Sequence, residues 1–223
     1  MMQISENLKN ILHSLPEKVK LIAVSKNHSV SEISEAYQAG QKVFGENKVQ
    51  ELMEKVDKLP SDIEWHLIGH LQTNKVKYIA PVVNWIHSVD SFKLLKTINN
   101  EALKHNRHID CLIQMYIASE ETKFGLSLPE AKELLLNPET STFTNIRIRG
   151  LMGMASFTDD KNQVRNEFAS LRNYFNELKQ GFFPNNPLFS EISMGMSDDY
   201  PIAIEQGSTM VRIGTAIFGQ RVY

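Results

Sequence analysis

Along this chain, short apolar runs alternate with stretches of helical periodicity, eight of each, and no other feature restricts the fold so far. The runs are Leu21–Val24, Val43–Gly45, Trp65–Gly69, Trp85–Ser88, Ile109–Ile117, Ile146–Met152, Glu191–Ser193 and Met210–Ile213. Most lack polar alternation, which suits strands covered on both faces, as parallel sheets require. The first helix is expected over residues 4–14, where Ile4, Leu8 and Ile11 share a face. The others are expected from Ser29 or Ser31 to Gly40, through Val49, Leu52 and Val56 to Pro60, and over 73–80, 91–105, 129–136, 161–179 and 200–205. Repeated strand–helix units in 223 residues predict an α/β fold, a (β/α)8 TIM barrel with an extra N-terminal helix, as one domain over residues 1–223. A doubly wound open sheet is the alternative.

The barrel gives meaning to where the unusual residues fall. Lys26, Asn47, His66–His70, Ser88–Asp90, Met152–Ser156, Ser193–Ser197 and Arg212–Thr215 lie at or just past the C-terminal ends of their strands. In a barrel those ends converge on one mouth. Lys26 closes the run Leu21–Val24, so its amine is expected at the rim of a core, where desolvation lowers its pKa and leaves a nucleophile suited to Schiff-base chemistry. A surface lysine ending a strand is the plainer alternative. Ser193–Asp198 and Arg212–Ala216 combine glycine with hydroxyl side chains on consecutive strands. Glycine lets backbone N–H groups approach an anion, and barrels often bind phosphate after strands seven and eight. Each segment alone could be a turn and a helix start; Arg212 could serve the phosphate, a planar basic group or structure alone.

Other chemistries lose ground. The 24 basic and 26 acidic residues give a net charge of −2 with no basic block, so neither nucleic acid nor an anionic membrane is an expected partner. His66 and His70 are four apart but bracket a strand end, and no further motif completes a metal site. Glu120–Glu121 and Asp198–Asp199 are adjacent pairs that point apart, not acid/base dyads. Cys111, the one cysteine, is read as a small buried hydrophobe. Neither a signal-peptide pattern nor a membrane span is evident, and a cytoplasmic location is expected.

Six ordered motifs carry a closer resemblance: Lys26, GENKVQE (Gly45–Glu51), WHLIGHLQTNK (Trp65–Lys75), GLMGM (Gly150–Met154), SMGMSDD (Ser193–Asp199) and GSTMVRIGTAIFG (Gly207–Gly219). From about residue 5 onward the chain resembles the YggS/PROSC family of pyridoxal 5'-phosphate (PLP) binding proteins, also called PLP homeostasis proteins. The resemblance implies a barrel like the N-terminal domain of alanine racemase, of the fold-type III PLP class, with PLP held as a Schiff base on Lys26. It implies Arg212 at the pyridine nitrogen, Ser193, Met194, Ser197, Gly214 and Thr215 around the phosphate, Asn47 near the ring hydroxyl, and His66 and Met152 nearby. Lys123 matches a second family lysine, a candidate for capturing or releasing PLP; Tyr116 stands where family members often carry Asn.

By this resemblance the protein stores PLP and delivers it to apo PLP-dependent enzymes, with no catalytic residue of its own. An arginine against the pyridine nitrogen keeps that atom unprotonated and weakens the cofactor as an electron sink. A PLP-dependent amino-acid racemase is one alternative, although two-base racemisation draws on a β domain that this chain is read as lacking. A class I aldolase using Lys26 directly on a sugar phosphate is the other. A monomer is expected.

Overall fold

The computed structural model of the chain describes residues 2–119 and 124–219. In order come α1 (Met2–Ser14), β1 (Lys20–Val24), α2 (Val30–Gln38), β2 (Val43–Glu46), α3 (Val49–Val56), β3 (Glu64–Leu67), α4 (Val76–Ile79), β4 (Trp85–Val89) and α5 (Phe92–Lys104). They are followed by β5 (Ile109–Gln114), α6 (Leu128–Leu136), β6 (Ile146–Met152), α7 (Lys161–Phe182), β7 (Glu191–Ser193), α8 (Tyr200–Glu205), β8 (Met210–Ile213) and α9 (Thr215–Phe218). Each strand pairs in parallel with the next, and β8 returns to β1 from Lys20↔Met210 to Ala23↔Ile213, so the sheet closes. The barrel expected from the strand–helix alternation is present; the open sheet is not.

Local chemistry sets most boundaries. Ser29 caps α2 and Ser127 caps α6, each in a capping box with the glutamate three residues on, Glu32 and Glu130. Ser91 and Asp160 cap α5 and α7. Alternation along the strands sends one set of side chains outward against the helices and the other into the barrel. The outer core includes Phe44, Leu67, Ile86, Ile113, Leu151 and Phe168, and Cys111 lies within it, fully buried, its thiol pushed up by desolvation. The inner core is smaller: Ile22, Trp85, Leu112, Met152 and Met210.

Several elements depart from the expected bounds. β5 ends at Gln114 because Leu126 takes over the ladder: its N–H donates to the Gln114 carbonyl and its own carbonyl accepts from Tyr116. α7 runs on to Phe182, and just beyond it Phe183 stacks on Phe189 at 4.3 Å between ring centroids. The one-turn α9 was not expected, since four residues are too few for a periodic signal. Among the described residues no helix is long and apolar enough to cross a membrane. Lys123 and the pair Glu120–Glu121 lie outside the described residues.

Candidate functional site

Lys26 lies two residues past the end of β1 and is half-buried. The backbone on both sides of it is tied down by a charged cluster lying between β2 and α3. Ser25 Oγ donates to Glu46 Oε1 at 2.6 Å, and the Ser25 carbonyl accepts from Lys55 Nζ at 2.8 Å. Lys55 also pairs with Glu46 and Glu51 at 2.8 and 2.7 Å. Asn27, in the left-handed conformation at φ 63°, donates its N–H to Glu51. A sharp, pinned turn therefore aims Lys26 at the mouth. Burial pushes the Glu46 carboxyl up, and the Lys55 ammonium opposes that shift.

Facing Lys26 are the ends of β7 and β8. Gly195 has φ 96°, and a Cβ there would sit 2.6 Å from that of Ala203, so only glycine makes this turn. Asp199 Oδ1 accepts the Met196 N–H at 2.5 Å and closes the loop before α8. Gly214 begins α9 with no side chain capping it, so the first-turn amides of Thr215 and Ala216 have no intrahelical acceptor. Arg212 is buried at 4% exposure; its guanidinium donates to Ser193 Oγ at 2.7 Å and to the Gly153 carbonyl at 3.1 Å. Burial lowers Arg212 to about 10, which leaves it charged at neutral pH.

These walls enclose a cavity of about 220 Å3 lined by Lys26, Asn47, Ser197, Arg212, Gly214 and Thr215, together with Val24, His28, Ile68, Met154, Phe157, Met196 and Asp198. Asn47 is set by Gly69, whose α-carbon packs so closely on the Asn47 backbone that a Cβ would lie 2.4 Å from its carbonyl oxygen. Phe157, 89% exposed, stands at the rim.

Six of the ten sequence-predicted site residues thus line one cavity, and the other four are fully buried outside its lining. His66 is fully buried, Nδ1 2.8 Å from His87 Nε2 and Nε2 2.9 Å from Glu64 Oε1. Ser193 faces the barrel interior, engaged with His87 and Arg212. Met194 is buried in the outer core, and its N–H donates to the Met210 carbonyl at 3.1 Å. Met152 belongs to the inner core. His70, far from His66 in role, pairs with Asp90 at 3.2 Å and stacks on Phe124. Among the described residues no three metal-ligating side chains cluster.

Sequence reading missed His87, Glu64 and the Ser25–Glu46–Lys55–Glu51 cluster. The signal for the cluster was an acid at the end of an apolar strand, followed by Glu51 and Lys55 at helical i,i+4 spacing. For His87 it was a histidine in the fully buried run Trp85–Val89.

A parallel barrel with a lysine just past β1, a buried arginine in β8 and a glycine-rich rim after β7 and β8 belongs to the alanine-racemase class of barrels, and the family model for the alanine racemase N-terminal domain matches residues 1–222. The likeness extends to alanine racemase from E. faecalis, with a TM-score of 0.72 over 98% of this chain and 58% of that one at 16% identity, a similarity of fold. Within that class, the chain belongs to the family of pyridoxal phosphate homeostasis proteins. The member from Haemophilus influenzae is 42% identical over 208 residues, covering 92% of this chain and 86% of its own. The structure of PipY from Synechococcus elongatus, solved with PLP bound, superposes with a TM-score of 0.88 at 38% identity over 97% of this chain and all of that one.

Proposed function

We propose that this protein binds PLP reversibly through a Schiff base on Lys26 and works in PLP homeostasis, holding the cofactor and passing it to apo PLP-dependent enzymes, without a reaction of its own. One observation carries the reading: a half-buried lysine, a buried cationic guanidinium and two glycine–hydroxyl loop ends line the same cavity. The names of the relatives support it, as does the PLP in PipY.

The residues present fit the cofactor. The uncapped amides at the start of α9, with the Ser197 and Thr215 hydroxyls, suit a phosphate dianion. Ile68 and Met154 offer apolar contact to a planar ring, and Asn47 offers an amide to its hydroxyl. Arg212 would donate toward a ring nitrogen, which would then accept and stay unprotonated. When bound, PLP supplies an aldehyde and an electron-withdrawing ring. Lys26 would hold the group through its amine, whose two N–H protons would leave with the aldehyde oxygen as water. Thr215 and Met196 are exposed at the rim, so water reaches the linkage, as storage and release require. Ser193 and Met194 act from outside the lining, Ser193 by holding Arg212 and Met194 by fixing the loop after β7. Residues 1–223 serve as one PLP-binding domain, as a cytoplasmic monomer.

The test is the visible spectrum of the purified protein supplied with PLP, repeated after borohydride and in Lys26→Ala. A yellow band that borohydride bleaches, with pyridoxyl mass on the peptide containing Lys26, is the expected result. A protein that stays colourless with added PLP overturns the proposal.

A further inference from the structure

Through the barrel interior runs a chain of hydrogen bonds joining its two ends. Arg212 on β8 donates to Ser193 Oγ on β7 at 2.7 Å, and Ser193 Oγ lies 3.0 Å from His87 Nδ1 on β4. His87 Nε2 lies 2.8 Å from His66 Nδ1 on β3, and His66 Nε2 lies 2.9 Å from Glu64 Oε1 at the start of β3. Strands β4 and β7 are not neighbours in the sheet, so the His87–Ser193 contact spans the barrel itself. The three middle members, His66, His87 and Ser193, are fully buried.

The direction of every bond in this chain follows from its ends. A guanidinium only donates and a carboxylate only accepts. Glu64 can only accept, so His66 Nε2 carries the proton; with both rings neutral, His66 Nδ1 then accepts from His87 Nε2, and His87 Nδ1 accepts the Ser193 hydroxyl proton, Ser193 Oγ in turn accepting from Arg212. That makes His87 the Nε2–H tautomer, donating to His66 Nδ1, and makes His66 the Nε2–H tautomer, donating to Glu64. Both imidazoles stay neutral, because burial disfavours their charged forms. The chain has one consistent polarity with no donor facing a donor. Around it stand Lys20 from β1, Asp110 from β5, Arg149 from β6 and Glu191 from β7 at the closed end, with Asp199 toward Arg212. Among the described residues no carboxylate is in ion-pair contact with Arg212.

We infer that Glu64, at the end of the barrel away from the cavity, is a positioning residue for Arg212, acting through His66, His87 and Ser193 to fix which way the guanidinium points. The carboxylate selects the polarity, and the polarity spends the Ser193 proton on His87, which leaves both Oγ lone pairs to Arg212 while the rest of the fork faces the Gly153 carbonyl and the cavity. The ligand consequence rests on the PLP reading above; the hydrogen-bond polarity does not.

Two measurements test it. On the unliganded protein at pH 8, long-range 15N–1H spectra of the histidine rings should show His66 and His87 as pure Nε2–H tautomers. In Glu64→Gln, whose amide can donate as well as accept, His87 should become a mixture of tautomers. PLP affinity, read from the absorption titration, should fall about tenfold in Glu64→Gln and in Ser193→Ala, the scale of lost outer-shell support. The double variant should be no weaker than Ser193→Ala alone, since both cut one chain. Wild-type tautomers other than Nε2–H, an unchanged His87 in Glu64→Gln, or additive losses in the double variant overturn the inference. Should the wild type take up no PLP, the functional proposal fails while the tautomer spectra still decide this one.

Discussion

Lys55 Nζ sits 2.8 Å from the Ser25 carbonyl, one residue before the lysine that faces the cavity, and the same ammonium pairs with both Glu46 and Glu51. The placement of Lys26 therefore depends on a buried ion pair in the next strand–helix unit. Lys55→Met keeps the apolar stem and deletes the charge, leaving Glu46 uncompensated at zero exposure. Removing one partner of a buried pair costs about 3–5 kcal/mol. Urea unfolding should show that loss, and Lys55→Met/Glu46→Gln should recover part of it. Equal stability of Lys55→Met and wild type would mean that the cluster does not support the turn.

Acid should weaken the fold through the two buried imidazoles. His66 and His87 are held below the usual histidine value by burial, so each is neutral when folded and protonates on unfolding. A depressed folded pKa means the stabilisation is complete above about pH 6.5 and is lost as pH falls below it. Each imidazole contributes up to about 1.4 kcal/mol per pH unit there. Unfolding free energies at pH 7, 6 and 5 measure the slope. His87→Gln should lower it by about one proton; an identical slope would show that His87 is already charged in the folded protein.

Legibility in the sequence followed the range of the forces involved. The barrel was readable because buried parallel strands are apolar throughout, and runs such as Leu21–Val24 and Ile146–Met152 declare themselves locally. That Lys26, Asn47, Ser197, Arg212, Gly214 and Thr215 would line one cavity was readable because strand ends converge in this topology. His87, Glu64 and Lys55 were not, since their partners lie on other strands and no local period encodes a contact such as His87–Ser193, 106 residues apart. The resemblance placed Ser193 and Met194 around the phosphate; the side-chain orientations that a linear string does not carry are Ser193 into the barrel and Met194 into the outer core.

The position of Asn47 should be sensitive to one methyl group. At Gly69 a Cβ would meet the Asn47 carbonyl oxygen at 2.4 Å and its α-carbon at 2.8 Å, backbone atoms that cannot swing aside as a side chain would. Gly69→Ala must displace the Asn47 segment, at an overpacking cost of about 1–3 kcal/mol. Thermal unfolding should register the loss and PLP titration a weaker affinity. Gly181→Ala, where an added Cβ meets nothing within 4 Å, is the control and should be at least as stable as wild type. Unaltered stability and affinity in Gly69→Ala would show that the contact relaxes without moving Asn47.

Glu167 on α7 gathers the loops that follow β5 and β6. Its Oε2 accepts the Ser156 N–H at 2.6 Å, and its Oε1 accepts from the Ser156 hydroxyl at 2.8 Å and from the Ser119 N–H and hydroxyl at 3.2 and 3.1 Å, with Gln163 Nε2 adding a bond at 3.0 Å. Despite burial, which alone would raise it, this set of donors holds the carboxyl below the usual range. Two loops thus depend on one carboxylate, and the second of them carries Met154 and Phe157 into the cavity wall. Glu167→Ala strands the buried Ser156 donors, at about 1–3 kcal/mol for a buried unsatisfied group, and releases those of the exposed Ser119 to water. Because the loops, not the strands, lose their anchor, local opening should increase more than global unfolding. Hydrogen exchange should accelerate at the Ser156 and Ser119 amides in Glu167→Ala, while amides of β1 and β8 keep their wild-type protection. Uniform acceleration across the barrel would instead make Glu167 a support of the global fold, and unchanged exchange at both serines would mean that neither loop relies on it.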